Sequence, residues 1–134
     1  MSDSQTPLRT TPLHALHVAL GAKMMPFGGY DMPVQYPTGI LAEHQHTRSA
    51  AGLFDVSHMG LIRLTGKGGA RPAAALEKLV PADILPLPVG RVRYTQFTND
   101  RGGILDDLMV GNSGDHLMLV VNAGNKETDA AHLH

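Results

Sequence analysis

Three apolar runs separated by two short turn clusters dominate the C-terminal part of the sequence. The runs span 91–98, 104–110 and 117–121, and the turns between them fall at 100–103 and 111–115. Both turns contain glycine together with Asp or Asn, the residues that tight hairpins favour, and the runs have the length of strands. The pattern therefore predicts an antiparallel three-stranded meander.

One strand and two helices are predicted around this meander. Residues 61–66 alternate between apolar and polar side chains, as a strand does. Residues 67–69 form a Lys-Gly-Gly turn, and helices are favoured over 70–80 and from Asn125 onward. The order is then strand, helix, three strands, helix. Strands that cluster in this way, instead of alternating strictly with helices, indicate an α+β fold.

The first half of the chain lacks a comparable set of strands. Residues 1–7 are expected to be a disordered lead-in, and short helices are predicted over 13–20 and 39–51, the second capped by Thr38. Between them, residues 26–37 contain three prolines and two glycines, which predict a packed irregular loop. Because this part has no sheet of its own and the last helix lacks a C-terminal cap, we expect the chain to be a fragment of a larger protein.

Composition limits the classes of protein that this sequence can encode. The 134 residues carry a net charge of −1 without a basic stripe, which argues against a nucleic-acid partner. Cysteine is absent, so disulfides and thiolate metal sites are excluded. No apolar stretch approaches the roughly 20 residues that span a bilayer, so no membrane association is expected. The polar N-terminus has the features of neither a signal nor a transit peptide, and a bacterial cytoplasmic location is expected.

Two adjacent carboxylates, Asp106 and Asp107, lie inside the second apolar run. Successive side chains of a strand point to opposite faces, so the two acids face opposite ways. Asp106 shares its face with Leu108. Asp107 shares the other face with Met109. Whichever face packs inward, one carboxylate lies in apolar surroundings, which proteins tolerate chiefly where the group is paired or functional.

A purely structural explanation of the acidic pair is also open. The strand could lie at the edge of its sheet with both acids in water, or one acid could bond to Arg91, Arg93 or Arg101. Either arrangement would satisfy the carboxylates without a functional role.

The eight histidines do not follow a metal-ligand pattern. His44 and His46 are two residues apart on a predicted helix and face different directions, whereas zinc-binding pairs on helices are three or four residues apart. His14 and His17 have a suitable spacing but no further ligand pattern nearby. Structural or surface roles are therefore favoured, and no metal site is predicted.

Several short segments of the chain occur in an order and with spacings that match a known family. They are residues 26–36 (PFGGYDMPVQY), 43–44 (EH), 51–60 (AGLFDVSHMG), 93–95 (RYT), 102–108 (GGILDDL) and 120–123 (VVNA). Together they resemble the N-terminal third of the aminomethyltransferases, the T-proteins of the glycine cleavage system. The resemblance covers about residues 7–130, and DVSHM with GGILDDL is its most specific part.

This resemblance implies a fold and an activity. The family fold has three domains, of which residues 8–55 would be the first segment of discontinuous domain one. Residues 56–134 would be most of a ferredoxin-like domain two with βαβββα order, truncated at the C-terminus. The family moves a one-carbon unit from the aminomethyl-lipoyl arm of H-protein to tetrahydrofolate and releases ammonia. H-protein is thus the implied partner and tetrahydrofolate the implied acceptor substrate.

The resemblance also implies which residues form the site. It places the family's folate-site aspartate at Asp107, with Asp106 as the second choice. The residues expected to line the folate are Met59, Tyr94, Met109 and Asn122. A carboxylate there can accept a hydrogen bond from a folate N–H, relay its proton and stabilise the positive charge of an iminium-like species.

Two other classes of folate-binding protein share this fold and remain alternatives. One is the folate domain of dimethylglycine or sarcosine oxidising enzymes, which carry a flavin domain before it, whereas here the motifs begin close to Met1. The other is a non-enzymatic folate-binding protein of iron–sulfur cluster maintenance, which usually lacks the Asp-Asp strand. The family's remaining folate contacts lie downstream of His134, so the fragment alone is expected to be inactive.

Overall fold

The described part of the protein consists of two compact units. A computed structural model describes residues 7–66 and 71–134. The first unit lies within Met1–His58 and the second is Met59–His134. The lead-in before Pro7 and the Lys-Gly-Gly turn predicted from the sequence fall outside the described residues. Within the described parts of the chain, no helix has the length and apolar character needed to cross a bilayer.

The first unit contains two helices and a β-hairpin. Its elements are α1 (His14–Ala19), β1 (Lys23–Phe27), β2 (Tyr30–Gln35) and α2 (Ile40–Ser49). β1 and β2 pair antiparallel around Gly28-Gly29, whose φ angles are 55° and 82°. A two-residue turn with both φ angles positive is the type I′ turn, which strongly favours glycine.

This hairpin occupies most of residues 26–37, so the irregular loop and the sheetless N-terminal part predicted from the sequence were wrong. In a two-residue hairpin the pair that flanks the turn exchanges hydrogen bonds, and bonded and non-bonded pairs then alternate. By this count Pro26 and Pro33 both lie in non-bonded pairs. Proline has no backbone N–H, but at these positions its absence removes no hydrogen bond between the strands. A two-stranded ribbon also has no central strand, which is where proline is excluded.

Both helices of the first unit were predicted, but the start of α2 differs from the expectation. Gly39, with φ of 84°, takes the N-cap position expected for Thr38 and provides no side-chain hydrogen bond. The Tyr36 N–H instead donates a hydrogen bond to the Glu43 carboxylate at 2.7 Å. The entry to α2 is therefore held by a side chain from within the helix.

The second unit is built on a four-stranded antiparallel sheet. Its elements are β3 (Gly60–Leu64), α3 (Pro72–Leu76), β4 (Val92–Thr98), β5 (Ile104–Asn112), β6 (Leu117–Val121) and α4 (Lys126–His132). The strand order is β3-β6-β5-β4. The meander, the βαβββα order and the α+β class predicted from the sequence are confirmed. α3 is shorter than the predicted helix over 70–80, and after it the Ile84 N–H and Leu85 N–H both donate to the Glu77 carboxylate.

One face of this sheet is covered and carries the apolar core. The strands contribute alternate residues to it, and they pack with Leu76 of α3, with the segment that follows α3 and with Leu133 at the end of α4. The fully buried members are Leu76, Ile84, Phe97, Leu108, Val110, Leu119 and Val121. This face fixes the register, because a shift by one residue would expose every core side chain of a strand.

The opposite face of the sheet, here called the outer face, is apolar and exposed. A row of four side chains crosses it, one from each strand, because the paired residues of neighbouring strands share a face. The row is Leu61, Val120, Met109 and Tyr94. Tyr94 is 59% exposed and Leu61 71%. Exposed apolar side chains grouped in this way mark a surface that another molecule or segment covers.

Candidate functional site

The acidic pair lies in an interior strand. β5 is paired with β4 on one side and with β6 on the other, so the edge-strand explanation of Asp106 and Asp107 was wrong. Asp106 is paired with the fully buried Phe97 and lies on the covered face. Asp107 is paired with Gln96 and lies on the outer face, beside the apolar row. The alternation predicted from the sequence therefore places the two residues on opposite faces of β5.

Asn122 bonds both carboxylates. It follows Val121, which pairs with Leu108 next to the acidic pair. The Asn122 Nδ2 group donates to Asp106 Oδ1 at 3.0 Å and to Asp107 Oδ1 at 2.9 Å. An amide has two N–H bonds, so one can point to each acid. Asn122 thus provides the bonding that the structural explanation assigned to an arginine.

The residues expected to line the folate fall partly on one surface. Tyr94 and Met109 form a cross-strand pair on the outer face, and Asp107 lies two residues before Met109 on that face. Met59 immediately precedes β3, whose first residue pairs with Val121, so it lies at the same end of the sheet as Asn122. The structure therefore brings Asp107, Tyr94 and Met109 to the outer face. Asp106 faces away from it.

A third acid, Asp129 of α4, was not predicted from the sequence. It is 3% exposed. Burial, then the hydrogen-bonding and charge of Asp106, and then the charge of Asp107 raise its pKa to about 6. The sequence did contain one signal that Asp129 faces the core. It lies four residues before Leu133, and two side chains at that spacing share one face of a helix. An aspartate and a leucine at this spacing do not by themselves mark a functional position.

The pKa of Asp106 moves in the opposite direction. Burial alone would raise it, but hydrogen bonds from Asn122 and Asn125 and the backbone of Asp107 outweigh the burial and lower the pKa of this carboxyl. Asp106 is therefore the ionised member of its contact with Asp129. Two carboxyl groups with pKa values displaced in opposite directions are typical of a pair that holds one proton between them.

The first unit contains a separate polar cluster around Asp55. His17 Nε2 donates to Asp55 Oδ2 at 2.9 Å, and the Thr11 hydroxyl donates to the same oxygen at 2.9 Å. Because a carboxylate only accepts, His17 carries a proton on Nε2, and its Nδ1 lies 2.7 Å from the Tyr36 hydroxyl, to which it is hydrogen-bonded. Every group in this cluster has a partner, so we assign it to structure. In the described residues, no three His, Asp or Glu side chains are grouped as metal ligands.

The outer face has chemistry suited to a flat ligand with N–H groups. Tyr94 and Met109 offer ring and thioether surfaces against which a planar ring system can stack. Asp107 presents a carboxylate, held by an amide, at the margin of these apolar groups. A fixed acceptor beside an apolar wall accepts an N–H bond and stabilises positive charge more strongly than the same group in water.

The described residues thus include an α+β domain whose sheet has one covered face and one exposed face with an amide-held carboxylate. The family profile for the GCVT N-terminal domain matches residues 13–134. The chain belongs to this family.

Named relatives agree with the family. The chain is 49% identical over 130 residues to aminomethyltransferase, mitochondrial, of Dictyostelium discoideum, covering 97% of this chain and 32% of that protein. It is also 49% identical over 130 residues to the aminomethyltransferase of Deinococcus deserti, covering 96% of this chain and 35% of the relative. The chain therefore spans about a third of the length of these relatives.

A solved structure shows the same fold. The crystal structure of glycine cleavage system aminomethyltransferase T from Bartonella henselae superposes with a TM-score of 0.88 at 45% sequence identity. The superposition covers 95% of this chain and 35% of that one. This agreement confirms the predicted α+β class and the similarity to the N-terminal part of the aminomethyltransferase fold.

Proposed function

We propose that the protein to which this chain contributes is a tetrahydrofolate-dependent aminomethyltransferase of glycine cleavage. It moves the one-carbon unit from the aminomethyl-lipoyl arm of H-protein to tetrahydrofolate, and ammonia is released. The observation that carries the proposal is the Asp107 carboxylate, held by the Asn122 amide at 2.9 Å on the exposed apolar face of the sheet. The names of the relatives support the same activity.

In this proposal Asp107 handles the proton and the charge of the transfer. The folate nitrogens act as nucleophiles and must lose a proton as the new bond to carbon forms. Asp107 accepts the hydrogen bond of a folate N–H, takes up or relays its proton, and stabilises the iminium-like positive charge. Asn122 occupies one Asp107 oxygen, Oδ1, so the other remains for the ligand.

The apolar outer face binds and orients the ring system in this proposal. Tyr94 and Met109 provide the wall next to Asp107, with Met59 at the end of the sheet where Asn122 lies. These surfaces bury apolar area of the folate and exclude water from the carboxylate. Fixing the ring against the wall also holds its nitrogens at a constant distance from Asp107, which is the positioning that group transfer needs.

The domain boundaries, the partner and the location are part of the proposal. Residues 8–55 are assigned to the first segment of domain one and 56–134 to domain two. H-protein is assigned as the partner because it carries the aminomethyl-lipoyl arm. A cytoplasmic location in a bacterium rests on the sequence, since similar relatives include mitochondrial and bacterial proteins.

The test is an Asp107→Asn variant of the full-length protein, that is, this chain completed to the length of its relatives. The variant keeps the shape of the side chain but cannot take up a proton. We expect formation of methylenetetrahydrofolate from aminomethyl-lipoyl H-protein to fall by about a hundredfold or more. Asp100→Asn is the matched control, because it removes one exposed negative charge from the turn between β4 and β5.

The outcomes test the role of Asp107 and separate this proposal from the non-enzymatic alternative. Parent-level turnover in the Asp107→Asn variant would show that Asp107 is not the folate-site carboxylate. Binding of tetrahydrofolate by the parent protein without any turnover would favour the non-enzymatic folate-binding class. A loss of activity in the Asp100→Asn control equal to that in Asp107→Asn would point to a general charge effect.

A further inference from the structure

Asp129 and Asp106 form a buried contact that the proposed transfer does not use. Asp129 is 3% exposed, and its side chain contacts that of Asp106 on the covered side of the sheet. The Oδ2 atoms of both residues are buried and lack a hydrogen-bond partner in the described residues; the Asn125 side chain, which also lowers the pKa of Asp106, forms no hydrogen bond to Oδ2. Two buried carboxylate oxygens without a donor are costly, so the contact needs an explanation.

A single proton between the two carboxyl groups removes this cost. Two ionised carboxylates repel each other and have no hydrogen to share, whereas one protonated carboxyl donates to its neighbour. Asp129 is the group that burial and the neighbouring charge favour in the protonated form, up to its pKa of about 6, while its partner stays ionised. The Asp129 carboxyl then donates to the Asp106 carboxylate through the two oxygens that otherwise lack partners.

A chain of hydrogen bonds leads from this pair to the outer face. With the Asp129 bond in place, Asp106 is held at both of its oxygens, since Oδ1 already accepts from Asn122 at 3.0 Å. The second N–H of the same amide group donates to Asp107 Oδ1 at 2.9 Å. The orientation of the amide is therefore set from the covered side of the strand and transmitted to the carboxylate on the outer side.

We propose that Asp129 is a positioning residue for the reaction: through a proton shared with Asp106 it holds the Asn122 amide that orients the Asp107 carboxylate. The inference rests on the proposed function of Asp107 at the folate site. Asp129 contacts no ligand in this arrangement and takes part in no bond-making step. Its effect is geometric, because Asn122 has no freedom to turn away from Asp107 while Asp106 is fixed.

The test compares three substitutions at α4 in the full-length protein. Asp129→Leu removes the donor, whereas Asp129→Asn retains an N–H that can reach Asp106. Thr128→Leu introduces the same side chain at the adjacent exposed position and is the matched control. In assays at or below about pH 6, where Asp129 holds its proton, we expect Asp129→Leu to lower kcat about tenfold or more, with the KM for tetrahydrofolate within about twofold of the parent. Asp129→Asn should recover at least half of the lost kcat, and Thr128→Leu should match the parent.

A double variant gives a measurement that a merely structural role would not change. If Asp129 acts through Asp107, Asp129→Leu should cause no further loss of rate once Asp107 is already asparagine. If Asp129→Leu does not fold, Asp129→Ala takes its place with the same expected division between kcat and KM. Circular dichroism and thermal unfolding identify the folded variants.

Three results would overturn the role of Asp129. They are a parent-level kcat in Asp129→Leu, an equal loss in the leucine and asparagine variants, and a full additional loss on top of Asp107→Asn. Failure of the proposed function looks different. In that case Asp107→Asn itself would turn over at the parent rate, whatever the behaviour of the Asp129 variants.

Discussion

Replacing Asp55 by asparagine removes the charge at the centre of the polar cluster in the first unit. The Asp55 side chain is 2% exposed and accepts from His17, from Thr11 and from the Ser57 N–H, each at 2.9 Å. Asparagine keeps one oxygen, which can still serve His17 and Thr11, but its amide group meets the Ser57 N–H with another donor. One bond is lost outright and two lose the assistance of the charge.

The expected loss of stability in Asp55→Asn follows from these three hydrogen bonds. Hydrogen bonds to charged groups contribute roughly 1.5–3 kcal/mol each, and a buried donor without a partner costs about 1–3 kcal/mol. We therefore expect Asp55→Asn to lower the stability of the first unit by about 3 kcal/mol. The effect is large for this unit, because Met32 is its one buried hydrophobic residue among those described. Polar bonds carry a larger share of its stability than in the second unit.

Amide hydrogen exchange measured by NMR reads the two units separately. The Ala22 N–H, bonded to the His17 carbonyl at 3.0 Å, and the Asp31 N–H, bonded to the Arg9 carbonyl at 2.9 Å, report on the first unit. A loss of 3 kcal/mol corresponds to about a hundredfold faster exchange of these amides, since about 1.4 kcal/mol is a factor of ten.

Asp31→Asn is the matched control, because Asp31 also accepts from a histidine, His14, at 2.8 Å, but its side chain is 29% exposed. Partly exposed ion pairs contribute about 1 kcal/mol or less, so this variant should change exchange only slightly. If Asp55→Asn and Asp31→Asn had equal effects, or if Asp55→Asn accelerated exchange less than about fivefold, the reasoning from burial would be refuted.

Two further predictions concern the second unit. At Gly60 an added Cβ would lie 2.6 Å from Val121 Cγ2 and 2.7 Å from Lys126 Cβ. Gly60→Ala should therefore lower the free energy of unfolding, measured in urea, by about 1–3 kcal/mol. An unchanged urea midpoint would contradict this packing. The pKa of Asp129 is raised from 3.8 to about 6, so its contribution to stability is fully present below pH 4 and is lost as the pH rises through 6. The stability of the parent relative to Asp129→Asn should therefore fall by about 3 kcal/mol between pH 4 and pH 7, and a constant difference would exclude the shift.

Local patterns were enough to predict the sheet of the second unit. Alternation along β5 predicts that Asp106 and Asp107 face opposite sides, because the period of a strand depends on its backbone alone. The glycine-containing turns predict the hairpins for the same reason. Which of the two faces is covered depends on where α3 and α4 pack, and a local pattern does not contain that information.

Features that depend on contacts between distant residues were missed. The prolines at 26 and 33 were interpreted as breakers, although their effect depends on which pairs of the hairpin are bonded, and that follows from the register. Asp129 is an ordinary acid in a short helix until the fold brings it against Asp106, 23 positions earlier in the numbering. Thr38 is a good capping residue by type, but the positive φ of Gly39 places the start of α2 one residue later.

The two acids on successive positions of β5 have a consequence for how this segment can change in length. Inserting or deleting one residue between the turn at 99–103 and the acidic pair would reverse the pleat, so that Asp106 faced outward and Asp107 faced the core. Two residues could be added without this exchange. Homologous sequences that align with β5 should therefore vary in length here by even numbers, and a single-residue gap should coincide with a compensating bulge, such as the irregularity already present between Phe97 and Thr98.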